Sequence, residues 1–185
     1  MRRLSLRTRA FPSLRALELD RGHSDLPSWS FNALDELVRS RGGFKRLGLA
    51  SPKEGPGFER LIARGELQSL ESLSITSAVA FGDHEAEALA AATQLTRLRE
   101  LDLSRQQISS VGAKALIAAP HLQRLRRLSL HHNQRSGAAA FASARGLQEL
   151  ELLDLRHNSI QAHGPATERL RQRFGGAVRV ADDPA

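Results

Sequence analysis

The sequence predicts an α/β fold: a coil of strand–helix units whose successive strands lie side by side in one parallel sheet. Three observations carry that reading. A stretch of the form L-x-x-L-x-L recurs at Leu14–Leu19, Phe44–Leu49, Leu70–Ile75, Leu98–Leu103, Leu125–Leu130 and Leu150–Leu155. The fourth-position leucines, Leu17, Leu47, Leu73, Leu101, Leu128 and Leu153, are 30, 26, 28, 27 and 25 residues apart, leaving room for a full helix on each return path. Within each stretch apolar and polar residues alternate, as in a strand with one buried face.

The clearest unit runs from Leu98 to Leu125. Leu101-Asp102-Leu103 alternates, then Gly112, Ala113, Ala115, Leu116, Ala118 and Ala119 supply the small apolar filling of a closely packed helix. Pro120 predicts its end, because proline has no amide to donate and its ring clashes with the preceding turn. The register also holds between units. Ile108–Leu116 matches Phe81–Leu89 residue for residue, and the pairs Leu61/Leu67, Leu89/Leu95, Leu116/Leu122 and Phe141/Leu147 are each six apart. A helix anchor, a pre-strand anchor and three strand leucines therefore point inward in each unit. Burying one such side chain is worth about 1.5–3 kcal/mol, but no unit can bury its face alone, so the units must stack.

The chain is expected to be one domain over residues 1–185, of about seven units. Its ends are irregular. The stretch MRRLSLRTRAF has the composition of a transit peptide, but Leu4 and Leu6 alternate like the later strands, and an irregular N-terminal strand over 1–13 is expected. In the second unit Trp29, Phe31, Leu34 and Leu37 predict a bulkier helix ended by Gly42-Gly43, and S-P-K-E-G-P-G at 51–57 predicts a loop. Near the far end Leu170 and Phe174 close a helix, Gly175-Gly176 turns, and residues 178–185 form a last short strand and a polar tail.

These stretches resemble leucine-rich repeats of the ribonuclease-inhibitor-like type, in the style common in large GC-rich bacterial proteins. Leu150-Glu-Leu-Leu153-Asp-Leu155-Arg-His-Asn158-Ser-Ile160 fits the repeat signature throughout; the preceding unit has Asn133, and the one before that has Gln106 in the asparagine's place. The resemblance covers nearly the whole chain. It implies a leucine-rich-repeat solenoid, a horseshoe segment with a parallel sheet on the concave side and helices on the convex side. It further implies a non-enzymatic scaffold or adaptor for protein–protein interaction, and members of the family also serve as inhibitors or regulators of partner enzymes and GTPases.

Strand leucines face the core, so the residues between and just after them face the concave side. The candidate partner-binding residues are Glu18, Asp20, Arg46, Ser74, Glu100, Asp102, Arg127, His131, Asp154 and Arg156. With neighbouring strands about 4.8 Å apart, Asp102 is expected beside Arg127 and Asp154 beside Arg179. The partner is expected to be a protein. The net charge of +7 raises a second reading, a basic nucleic-acid-associated protein. Acids interrupt the concave face, however, and there is no tyrosine and one tryptophan for base stacking. No apolar run is long enough to span a bilayer, and no membrane partner is expected. With no cysteine, the chain has neither disulfides nor thiolate metal sites; a cytoplasmic protein is expected, standing alone or as part of a larger assembly.

His132 and His157 occupy equivalent positions in adjacent units, with His131 next door, a spacing that brings three imidazoles within reach of a shared metal. Polar residues are common just after a strand and no carboxylate matches them, so the expectation is no metal site and no cofactor. Asn133 and Asn158 read as ladder residues that satisfy loop backbone groups. Gly57, Gly112, Gly137 and Gly164, near helix starts, read as turn or close-packing glycines. No nucleophile elbow, H-E-x-x-H or P-loop spacing occurs, and catalytic residues are not expected. One test follows from the register alone: Leu101→Ala or Leu128→Ala is expected to lower the unfolding free energy by about 2–5 kcal/mol in urea melts, whereas an unchanged midpoint would refute the assignment of inward positions.

Overall fold

The computed structural model describes residues 15–19, 31–41, 43–50, 57–76, 81–133, 138–161 and 163–180. The expected strand over 1–13, Asp20, Trp29, most of the 51–57 loop, Gly137 and the 181–185 tail lie outside the described residues. Strands and helices alternate: β1 Ala16–Leu19, α1 Phe31–Arg41, β2 Arg46–Ala50, α2 Phe58–Ile62, β3 Ser72–Thr76, α3 Asp83–Ala91, β4 Glu100–Asp102, α4 Ser110–Ala118, β5 Arg127–Ser129, α5 Ala138–Ser143, β6 Leu152–Asp154, α6 Pro165–Phe174 and β7 Val178–Arg179. The fold is α/β, with one all-parallel seven-stranded sheet in which strand order follows chain order.

Equivalent leucines meet across the sheet. Leu17, Leu47, Leu73, Leu101, Leu128, Leu153 and Val178 form one continuous row, and Leu19, Leu49 and Ile75 form part of another. A one-residue slip at any interface would turn these side chains to the other face. The strands are short, but the lateral ladder continues beyond them. Before the strands, the Arg99 amide donates to Glu71 O at 2.8 Å and the Arg126 amide to Arg99 O at 2.8 Å; after them, the Leu103 amide donates to Ser129 O at 2.9 Å and the Leu130 amide to Asp154 O at 2.9 Å. The expected inward anchors, Leu61 and Leu67, Leu89 and Leu95, Leu116 and Leu122, Phe141 and Leu147, are all buried with the strand leucines in one core.

The helix ends follow the local sequence. Helix α1 presents Leu34 and Val38 to the core and stops at Arg41, before Gly43 at φ +67°, a left-handed conformation that glycine adopts without strain. Helix α4 ends at Ala118, and Pro120 opens a single 3-10 turn, Pro120–Leu122, that brings Leu122 into the core. Helix C-terminal carbonyls are met by the next unit: Gln94 donates to Ile62 O, and His121 Nε2 lies 3.2 Å from Leu89 O.

The tightest helix contact is between α3 and α4. Asp83, the first residue of α3, reaches the start of α4. Its Oδ1 accepts the Ser109 and Gly112 amides at 2.8 and 2.9 Å, and its Oδ2 accepts the Ser109 hydroxyl at 2.6 Å. Ser109 in turn caps α4 by accepting the Val111 amide at 3.1 Å. Gly112 is a close-packing glycine: a Cβ there would stand 2.6 Å from Asp83 Oδ1 and 2.9 Å from Ala86 Cβ. Gly57 and Gly164, by contrast, are helix N-caps.

The loop after each of the last strands is tied down by the expected amide ladder. Asn133 Nδ2 donates to Leu103 O at 2.8 Å and Leu130 O at 3.0 Å, while its Oδ1 accepts the Ile108 amide at 3.0 Å. Asn158 repeats this one unit on, donating to Leu130 O at 2.8 Å and Leu155 O at 2.9 Å and accepting the Asn133 amide at 2.8 Å. Gln106 donates to Ile75 O at 2.7 Å and Ser104 O at 2.9 Å, but its buried Oε1 has no partner among the described residues.

Burial raises the Asp83 pKa, but the hydrogen bonds from Ser109 and Gly112 outweigh it and hold the carboxyl below its ordinary value. A carboxylate with a depressed folded pKa stabilises the fold above its unfolded value, near pH 4, and that contribution disappears as pH falls through the folded value. Asp83→Asn is expected to cost about 1–3 kcal/mol at pH 7 and to flatten the acid limb of a stability profile below about pH 4; an unaltered acid limb would show that Asp83 does not couple α3 to α4.

Candidate functional site on the open face of the sheet

The alternation that buries the leucines turns every second strand residue to the opposite face. The register assembles those residues into rows. One runs Ala16, Arg46, Ser72, Glu100, Arg127, Leu152, and the next runs Glu18, Gly48, Ser74, Asp102, Ser129, Asp154, Arg179. Among the described residues Glu18, Arg46, Glu100 and Arg127 are exposed, while Ser74 and Asp102 are half-buried between their neighbours.

The charges pair differently from the expectation. Equivalent positions face each other, so Arg127 lies opposite Glu100, with Nε 3.9 Å from Oε1, and Asp102 lies opposite Ser129. Asp102 turns to its own loop instead, accepting the Ser104 amide at 2.9 Å and the Ser104 hydroxyl, and Ser104 Oγ is 2.8 Å from Ser129 Oγ. Asp154 does lie beside Arg179 in the register, but both its oxygens are taken by Arg156, at 2.7–3.2 Å. With only 6% of its surface exposed, Asp154 orients Arg156 and offers little of itself to a partner. Burial raises the Asp154 pKa, and the Arg156 guanidinium and amide more than reverse that.

At the sheet's flank basic side chains meet acids of the neighbouring unit. Lys45 Nζ is 2.7 Å from Glu71, Arg126 is 3.3 Å from Glu151, and Arg124 is 3.9 Å from Glu149. A more buried pair joins helix and turn, with Arg64 bidentate on Asp35 at 2.6 and 2.7 Å.

The loop edge past β5 and β6 carries a cluster of three histidines, where no metal site is expected from the sequence. The His132 and His157 rings stack, with centroids 4.4 Å apart and planes 8° apart. The His131 ring stands edge-on to both, at 4.5 and 4.9 Å. His132 and His157 have φ of +55° and +56°, and Arg105, at the same loop position one unit earlier, has +59°. The left-handed turn therefore belongs to the repeat and not to the histidine. His131 is half-buried, and its pKa is lowered by that burial, with His132, His157 and Arg156 adding to the effect and Asp154 opposing it. The signal in the sequence was the equivalence of positions 132 and 157; what spacing cannot supply is the ring orientation.

Elsewhere, a shallow depression of about 660 Å³ lies between α5 and α6, lined by Ala144, Arg145, Gln148, Leu150, Arg173 and Phe174, a set without a carboxylate or a nucleophile. No helix among the described residues is long and apolar enough to cross a membrane.

Comparison of the sequence with protein-family models finds no match, and none is found among curated proteins either. The exposed Glu100–Arg127 pair tests whether the open face is structural. A double-mutant cycle with alanine at both positions is expected to return a coupling below about 0.5–1 kcal/mol in urea unfolding; a coupling several times larger would make this row part of the fold's support.

Proposed function

We propose that this chain is a leucine-rich-repeat horseshoe segment of the ribonuclease-inhibitor-like type that works as a non-enzymatic, cytoplasmic protein-interaction module. Its partner is a protein held on the concave side of the sheet and along the adjoining loop edge. The observation that carries the reading is the division of labour between the two faces. The inward face of the sheet and the helix faces packed on it are consumed by burial and by unit-to-unit hydrogen bonds. The outward rows hold Arg46, Glu100 and Arg127, exposed charges that the core does not use. A broad, rigidly spaced set of polar groups on a stacked sheet suits recognition of a complementary surface better than chemistry on a small molecule.

Mixed sign on the same rows also separates this reading from the nucleic-acid one. A phosphate-binding stripe is basic along its length, whereas Arg127 here faces Glu100, and Glu18 and Asp102 lie in the neighbouring row. The test is capture from a native lysate, with and without nuclease treatment, using the wild-type chain and a variant carrying Arg46→Glu, Glu100→Arg and Arg127→Glu, followed by titration of the purified partner. The variant is expected to melt like wild type and bind at least about tenfold more weakly. The wild-type complex is expected to survive about 0.5 M salt, where long-range charge attraction is screened. Equal affinity of the variant would refute the concave site, and a nucleic acid recovered in place of a protein would refute the interaction module.

A further inference from the structure

Among the described residues, His131, His132 and His157 are the one group of three or more histidine, aspartate or glutamate side chains whose potential ligand atoms all lie within 4.8 Å of one another. We propose that these three histidines form a binding site for a divalent transition-metal ion of the imidazole-preferring kind, such as Zn²⁺ or Co²⁺. The site does not depend on whether a protein docks on the sheet.

The repeat supplies the framework. Residues 132 and 157 are equivalent, so their backbones are held one rung apart, at a strand spacing of about 4.8 Å. The His132 amide donates to Arg156 O at 3.1 Å and His131 O accepts the Arg105 amide at 2.8 Å, which pins this loop to its neighbours on both sides. Asn133 and Asn158, the next residue in each loop, are buried and fully engaged in the amide ladder. The backbone carrying the imidazoles is therefore fixed on three fronts, while the rings of His132 and His157 are exposed and free to turn.

Nitrogen ligands about 2.0–2.1 Å from a tetrahedral ion lie about 3.3 Å from one another. The ligand atoms need to close by at most about 1.5 Å to meet that requirement, and the stacked rings must also turn out of parallel so that each in-plane lone pair points at the ion; rotations about χ1 and χ2 provide both on exposed side chains. His131, already edge-on to both stacked rings, supplies the third direction that two parallel rings alone lack.

The donor set selects the ion. Three imidazoles suit zinc, cobalt, nickel and copper, and not the oxygen-seeking Mg²⁺ and Ca²⁺. The nearest carboxylate, Asp154, is already committed to Arg156, so it does not add the hard ligands that those ions require. Its negative charge lies close enough to favour a cation at His131, offset in part by Arg156. Three protein ligands leave a tetrahedral ion one open position, here on the loop edge where water can complete it.

The competing account is that these are three solvated loop residues that happen to stack. Isothermal titration of the untagged full chain with Zn²⁺, and the visible absorption of bound Co²⁺, separate the two. One ion per chain is expected, with no heat from Mg²⁺ or Ca²⁺ at the same concentrations. His132→Asn and His157→Asn, chosen because asparagine tolerates the left-handed turn, are expected each to weaken Zn²⁺ binding more than about tenfold, a loss typical of broken metal sites. The exposed controls His84→Asn and His163→Asn should leave it unchanged. Thermal melts without metal must match wild type; should His131→Asn fail to fold, the exposed His157→Asn decides alone. Absence of saturable Zn²⁺ binding, or binding that His157→Asn does not weaken, would overturn the site.

Discussion

Each strand of this protein is hydrogen-bonded to the strand of the next unit at equivalent residues, and the rest of the structure depends on that lateral registration. A strand of two to five residues with one apolar face is not stable in isolation. It persists because its leucines lie in the same row as those before and after, and because its backbone groups are consumed on both sides. Cooperativity between neighbours therefore substitutes for a large central core. That also explains why the inward row tolerates little change: every leucine from Leu47 to Leu153 is packed between the row members of two neighbouring strands.

Registration at the strands forces the helices and loops to solve the same problem by other means. Neighbouring helices must sit at the spacing the strands dictate, and between α3 and α4 that spacing requires Gly112 and admits the Asp83 carboxylate in its place. In the loops the chain leaves the ladder with amides and carbonyls exposed inside the stack. Side-chain amides at Gln106, Asn133 and Asn158 occupy those vacancies. An asparagine there donates and accepts across one unit spacing, so it completes what the backbone alone leaves unpaired. The Gln106 side chain is one methylene longer, and its oxygen overshoots to a place without a partner among the described residues.

Most of the architecture was legible because leucine periodicity records it directly. Strand positions, inward anchors, helix ends ahead of Gly43 and Pro120, and the asparagine ladder all follow from residue type at a fixed offset. What the sequence did not expose is pairing that depends on offsets within a unit. Asp102 and Arg127 look like neighbours on adjacent strands, but rows join identical repeat positions, so Arg127 belongs with Glu100. Asp154 was similarly claimed by Arg156, two residues on in its own loop, before Arg179 on the next strand. The reach of Asp83 into the start of α4 was hidden for another reason: Asp83 aligns with Ser110 in the repeat, yet its side chain spans to Ser109 and Gly112, and only helix geometry decides that. The histidine equivalence was visible, while the stacking of the rings depends on a left-handed turn that no spacing rule specifies.

That turn bears on how chemistry can accumulate on a structural repeat. Position 105, 132 or 157 is left-handed whether it carries arginine or histidine, so the loop's backbone sets the conformation and the side chain is left to vary. Glycine or asparagine would meet the conformational demand at lower cost than either. Two consecutive units nevertheless carry histidine there, with a third, His131, immediately before the first of them. Neither core packing nor the ladder calls for an imidazole at these places. The residues that the fold requires and those it merely tolerates thus separate cleanly along this edge: Asn133 and Asn158 complete the backbone, and the histidines beside them are held in fixed array by bonds in which their rings take no part.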